Sequence, residues 1–150
     1  MKIDAHQHYW KTSRTDYGWL TPSVGKIYAD FMPAQLKPLL EQFHIQKTVV
    51  VQAAPSQEET AFLLQLAAEE ETIAGVVGWL DLEADGFEQQ WNRFRRHPKF
   101  VGLRPMVQDL PSDWILHDKV MDHLKILSEA DFPNRFASES ATFTVYHRVA

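Results

Sequence analysis

Four short apolar runs, at residues 2–8, 48–53, 73–80 and 100–104, recur along the chain, separated by longer amphipathic stretches. In the second run Val49, Val50 and Val51 are consecutive, and in the third Val76 and Val77 are, with no polar alternation. β-Branched runs of that kind predict strands covered on both faces, as in a parallel sheet, rather than hairpins with one wet side. Between the strands the period changes from two to about 3.6, the helical repeat.

The segment 33–44 places Leu36, Leu39, Leu40 and Phe43 on one stripe. Pro33 suits a first helical position, whereas Pro38 predicts a kink or a restart. Ser56 and Glu59 have the spacing of a capping box, hydroxyl and carboxylate each satisfying an amide of the first turn, and Phe62, Leu63, Leu66 and Ala67 continue that helix's apolar face. Phe87, Trp91 and Phe94 recur at i, i+4 and i+7, and their helix must stop before Pro98. Val120, Leu124 and Leu127 form a last stripe, running to about Ala130. A long loop with Pro22, Gly25, Tyr17, Trp19 and Tyr28 follows the first strand. The resulting order of strands and helices predicts an α/β fold on a parallel sheet, either part of a barrel or an open doubly wound sheet. No Gly-x-Gly-x-x-Gly follows any strand, so a dinucleotide site has no support. From Phe132 the texture turns Ser-, Thr- and Ala-rich, a poor continuation of the pattern.

Composition narrows the function classes. With 45% hydrophobic and 23% charged residues the chain reads as an ordinary globular domain, and its net charge of −5 offers no basic stripe for a phosphate backbone. Arg93, Arg95 and Arg96 are expected on a solvated helix face. There is no cysteine, so His, Asp and Glu are the strong ligands available. The start lacks the apolar core of a secretion signal and no run approaches the roughly 20 apolar residues of a membrane span, which predicts a cytoplasmic protein.

The first strand ends in Asp4-Ala5-His6-Gln7-His8. Alternate residues of a strand share a face, so Asp4, His6 and His8 point one way, the imidazoles about 6 to 7 Å apart along the strand. Two imidazoles so placed can ligate one divalent metal; a His-x-His pair that merely bonds loop carboxylates has the same spacing. His44, His97, His117, His123 and His147 fall on helices, loops or the tail and read as structural or solvent-facing. Asp81, just after a strand, reads as a loop cap.

The string 3–10, Ile-Asp-Ala-His-Gln-His-Tyr-Trp, resembles the opening of the sugar-lactonase branch of the amidohydrolase superfamily, that of L-fuconolactonases and L-rhamnonolactonases. Asp16-Tyr17-Gly18-Trp19-Leu20, Asp30-Phe31-Met32-Pro33, residues 49–53, Gly78-Trp79-Leu80-Asp81-Leu82 and Val101-Gly102-Leu103-Arg104-Pro105 resemble further motifs of that family in the same order. The resemblance covers roughly residues 2–131. It implies the first four βα units of a TIM-type (β/α)₈ barrel, with the site at the carboxyl ends of the strands.

It further implies a catalytic set of His6, His8 and Arg104, with the two histidines as ligands if a divalent metal, zinc before others, is bound; members of this branch vary in metal dependence. Tyr9, Trp10, Trp19 and Gln52 are the expected sugar-lactone binding residues. A complete barrel needs about 250 residues. The family's later histidine and eighth-strand aspartate have no counterpart here, which predicts impaired or absent lactone hydrolysis and, through exposed strand edges, a homo-oligomer. Residues 1–131 are thus expected to be the N-terminal half of such a barrel and 132–150 an atypical tail, frameshifted or truncated. A metal-dependent decarboxylase of an aromatic acid and a non-catalytic module on an inherited scaffold are the alternative readings.

Overall fold

A computed structural model describes residues 1–132 together with the backbone of two short strands, Arg135–Ala137 and Thr142–Thr144, which pair antiparallel. The expected tail therefore lies mostly outside the described residues. Four parallel strands form one sheet in sequence order: β1 (Ile3–Gln7), β2 (Lys47–Val51), β3 (Ile73–Gly78) and β4 (Phe100–Leu103). Helices α1 (Pro33–Gln42), α2 (Gln57–Glu69) and α3 (Phe87–Phe94) make the three crossovers, and α4 (Asp118–Glu129) follows β4.

The sheet buries one face under the helices. Val50 is in register with Val76, and Val76 with Phe100, so these side chains share a face. They join Leu63, Leu64 and Ala67 of α2, Phe87, Trp91 and Phe94 of α3, and Val120 and Leu127 of α4 in one buried cluster. The 3.6-residue stripes thus point where their spacing said. Gln7 is in register with Val50. Its neighbours His6 and His8 consequently project to the opposite face, away from the helices.

Two expectations about α1 need correction. The helix runs unbroken from Pro33 through Pro38 to Gln42; a proline there removes one amide bond, to the Ala34 carbonyl, and the remaining turns hold. Leu40 is buried and Leu36 half-buried, but Leu39 is 50% and Phe43 55% exposed. The cause is position: α1 flanks β1, the outermost strand, and among the described residues no element covers its far side.

Residues 8–32 form the long loop. An antiparallel bridge between Trp10 and Phe31 closes its base, and a short 3₁₀ segment, Pro22–Ile27, bends at Gly25 with φ of 66°. Asp16, Tyr17 and Trp19 bring this loop back over the turn between β2 and α2. No helix among the described residues is long and apolar enough to cross a membrane.

Candidate functional site at the carboxyl ends of the strands

The backbone just past the strands continues the ladder: the Gln52 amide donates to Val77 O at 2.8 Å and the Arg104 amide to Gly78 O at 2.9 Å. His8, Gln52, Trp79 and Arg104 therefore stand side by side at one end of the sheet.

His6 and His8 converge. Their Nε2 atoms lie 3.0 Å apart and their rings meet edge to face, centroids 4.8 Å apart. His8 Nδ1 is 2.8 Å from Val51 O, and a carbonyl only accepts, so Nδ1 carries the proton and Nε2 a lone pair. His6 then donates its Nε2 proton to His8. Burial is the main cause that lowers the pKa of His8, with the positive charges of His6 and Arg104 adding to it. The Asp4 carboxylate accepts from the His6 amide at 3.1 Å.

Arg104 reaches the same strand from the other side. Its Nη1 donates to Gln52 O at 3.3 Å, and Gln52 Nε2 donates back to Arg104 O at 3.0 Å. His8 from β1 and Arg104 from β4 are thus hung on adjacent carbonyls of β2. Burial pushes the Arg104 pKa below its usual value, opposed by the charge of Glu59. Arg104 Nε and Gln52 Oε1 are both buried and have no hydrogen-bond partner among the described residues. A donor and an acceptor left unspent in a buried setting are costly unless something else meets them.

The turn after β2 is held by a network that the sequence did not disclose as part of the site. Ser56 Oγ accepts the Glu59 amide at 3.0 Å, as a helix cap should. The Glu59 carboxylate does not return to the Ser56 amide. It takes the Ala53 amide at 3.0 Å and the Ala54 amide at 2.7 Å, and it is fully buried. Only half of the expected capping box forms, because the loop amides are the better-placed donors. Burial raises the Glu59 pKa to about 7, against the lowering effect of those amides. Ser56 Oγ donates to Asp16 Oδ2 at 2.5 Å, Arg14 pairs with the same oxygen at 2.6 Å, and Trp19 Nε1 donates to Ala53 O at 2.8 Å. The Tyr17 hydroxyl is 3.4 Å from Tyr9 O and within hydrogen-bonding reach of Glu59.

The aromatic residues expected to line the sugar pocket divide. Tyr9 is 1% exposed within the main core, so the expectation that it walls the pocket is corrected. It has the parity of Gln7, and strand alternation turns it to the helix side. Trp10 and Trp19 are half-buried and meet edge to face at 5.3 Å, in a small cluster with Tyr17, Leu20 and Ala54. Both indole N–H groups are spent on backbone carbonyls, Trp10 on Ile27 O at 3.3 Å. A cavity of about 270 Å³ is lined by Trp79, Leu80, Asp81, Pro105, Met106 and Trp114 among others, and none of His6, His8, Gln52 or Arg104 lines it. Asp81 caps its own loop through the Glu83 amide, as expected. His117 and His123 bond Glu83 and Leu82 O respectively and serve the α4 side, while His44 is exposed.

No protein-family model matches the chain. It is 43% identical over 121 residues to an L-fucono-1,5-lactonase of Burkholderia ambifaria, and 38% identical over 109 residues to one of Burkholderia multivorans. A crystal structure of an amidohydrolase from Burkholderia multivorans superposes with a TM-score of 0.81 at 32% identity over 89% of this chain. The chain belongs to the amidohydrolase superfamily. These alignments take in 81% and 73% of the chain but only 42% and 36% of the two lactonases, and 47% of the amidohydrolase structure. The chain thus spans less than half the length of the relatives it matches, and its four βα units correspond to about half of a TIM-type amidohydrolase barrel.

A second crystal form of that amidohydrolase contains zinc. In the present chain the convergent Nε2 atoms of His6 and His8 suit two positions of such an ion. Among the described residues no third His, Asp or Glu completes a metal-holding group with them.

Proposed function

We propose that this amidohydrolase chain carries the substrate-binding and electrophilic side of a sugar-lactone hydrolase site, for an aldonolactone of the L-fucono-1,5-lactone class. The observation that supports it is the anchoring of His8 and Arg104, from the two outermost strands, on neighbouring carbonyls of β2. Hydrolysis adds water to the lactone carbonyl carbon and breaks its bond to the ring oxygen. Negative charge develops on the carbonyl oxygen, and fixed donors aimed there favour the transition state over the substrate.

Arg104 has a buried Nε–H to give, and a planar guanidinium suits two oxygens of one substrate. Gln52 Oε1 would accept from a sugar hydroxyl, and Trp10 and Trp19 would border the ring. His6 and His8 would hold a divalent cation, zinc first, whose Lewis acidity would act on the same carbonyl oxygen. Without the ion, the His6 Nε2–H is engaged by His8 and Arg104 is the donor to the carbonyl oxygen. Water activation needs a base, a role for which the Asp4 carboxylate, accepting from the His6 amide, is the candidate beside the two imidazoles.

The test is calorimetric binding and pH-stat hydrolysis of L-fucono-1,5-lactone, with and without added zinc. Arg104→Met is expected to weaken binding and to lower any turnover by about 10²-fold, the usual cost of a lost oxyanion donor. Turnover of an aromatic carboxylic acid in place of the lactone would move the assignment to a decarboxylase. Absence of lactone binding at millimolar concentration would remove the proposal.

A further inference from the structure

Glu59 spends a buried carboxylate on the end of a strand, although Ser56 already caps its helix. The peptide unit between Gln52 and Ala53 explains the use. In a trans peptide the C=O of one residue and the N–H of the next point in opposite directions from one rigid plane. The Ala53 N–H of this unit donates to Glu59, and its Gln52 C=O accepts from Arg104. The preceding unit is gripped in the same manner, its Gln52 N–H held by Val77 O and its Val51 C=O holding His8. Two consecutive planes at the end of β2 are thus fixed from both sides, and each presents one carbonyl to a site residue.

Resting on the lactone-site reading above, we propose that Glu59 is a positioning residue, which orients the 52–53 peptide and through it the Arg104 guanidinium. Hydrogen bonds in series through one amide polarise each other, so the grip on Ala53 also strengthens the acceptor that Arg104 uses. The charged and titratable groups that face Glu59 are Tyr17, Asp16 and Arg14 from the long loop and Arg104 from the end of β4. The loop motif 16–20 has a physical purpose in this scheme. Asp16 and Trp19 fasten the Ser56 and Ala53 flanks of the same turn, and Tyr17 closes over the carboxylate itself.

The experiment is ¹⁵N NMR of the whole chain, reading the Ala53 amide and the Arg104 Nη1–H that bonds Gln52 O. In Glu59→Gln one carboxylate oxygen becomes an NH₂ facing a backbone N–H. Exchange of both protons with water is then expected to rise about ten-fold, the worth of one lost hydrogen bond, while amides of Leu63 and Leu64 keep their protection. In the unmodified chain, Ala53 N and Arg104 Nη1 are expected to shift together with a midpoint near pH 7, where Glu59 ionises, and Glu59→Gln is expected to abolish that shared step. The titration of the unmodified chain stands even if the variant folds poorly.

Should Ala53 respond and Arg104 not, Glu59 is a local clasp and the proposal is overturned; the same holds if neither responds. In lactone assays the variant is expected to lose about ten-fold in kcat/KM at pH 8 and to lose the acid limb near pH 7. If the lactone is neither bound nor turned over, the proposed function has failed, and the two NMR signals still decide the role of Glu59.

Discussion

Thr60 offers the sharpest test of how the helix layer sets the end of the sheet. It is fully buried on α2, and its hydroxyl donates to Trp79 O and accepts from Trp79 N, both at 2.9 Å. Trp79 follows β3 directly, between Gln52 and Arg104 in the row of strand ends. Thr60→Val keeps the shape and the methyl but leaves the Trp79 amide and carbonyl without partners. An unsatisfied buried backbone group costs about 1 to 3 kcal/mol, so the pair predicts a loss of about 2 to 4 kcal/mol, allowing for partial relaxation. Thr60→Ser keeps both bonds and removes one methyl group, for about 1 kcal/mol. Urea unfolding of the three proteins separates the terms: the m-value should stay constant while the midpoint falls further for valine than for serine. If the valine variant is as stable as the serine variant or more so, the hydroxyl contributes nothing, and the linkage of α2 to the site through Trp79 is wrong.

Gly78 meets the same side chain from the sheet. A Cβ there would lie 2.6 Å from Thr60 Cγ2 and 3.0 Å from Phe100 Cε2, so Gly78→Ala should cost about 1 to 3 kcal/mol by overpacking, and Thr60→Ser in the same chain should recover part of it in urea unfolding. Glu59 also predicts a pH dependence of stability. Its folded pKa of about 7 stands above the ordinary 4.5, so between those values the folded chain holds a proton that the unfolded chain has released. The associated stability is complete below pH 4.5 and is lost as pH rises through 7, amounting to about 3 kcal/mol at most. Compared with Glu59→Gln, the unmodified chain should therefore lose ground between pH 5 and pH 8; parallel stability curves would exclude the shift.

Much of the scaffold was legible because parallel strands and their crossover helices obey different periods. Val49 to Val51 had no polar alternation, and the structure buries Val50 and Val51 on opposite faces of one sheet. Phe87, Trp91 and Phe94 share a helical face, and all three are buried. What a stripe does not reveal is which part of it a neighbour covers. Leu39 and Phe43 carried the same signal as Leu40, but they lie on the outer flank beside β1 and stay exposed. At the site, period-two alternation placed His6 and His8 together and, followed one residue further, already assigned Tyr9 to the core side. The family resemblance had attached Tyr9 to a pocket, and the geometry of the strand overrules it.

Glu59 escaped for a different reason. A carboxylate three residues after a helix-capping serine has two destinations, its own helix start or whatever donors lie across from it, and both give the same sequence pattern. The deciding partners are the Ala53 and Ala54 amides, which no side-chain letter announces. The same is true of the carbonyls that hold His8 and Arg104. Side-chain identity shows which groups are available for chemistry, but here their placement is delegated to two peptide planes at the end of β2. An alanine at position 53 looks uninformative for that reason: what the site uses is its backbone N–H, bonded to a carboxylate, on a plane whose opposite edge carries the guanidinium.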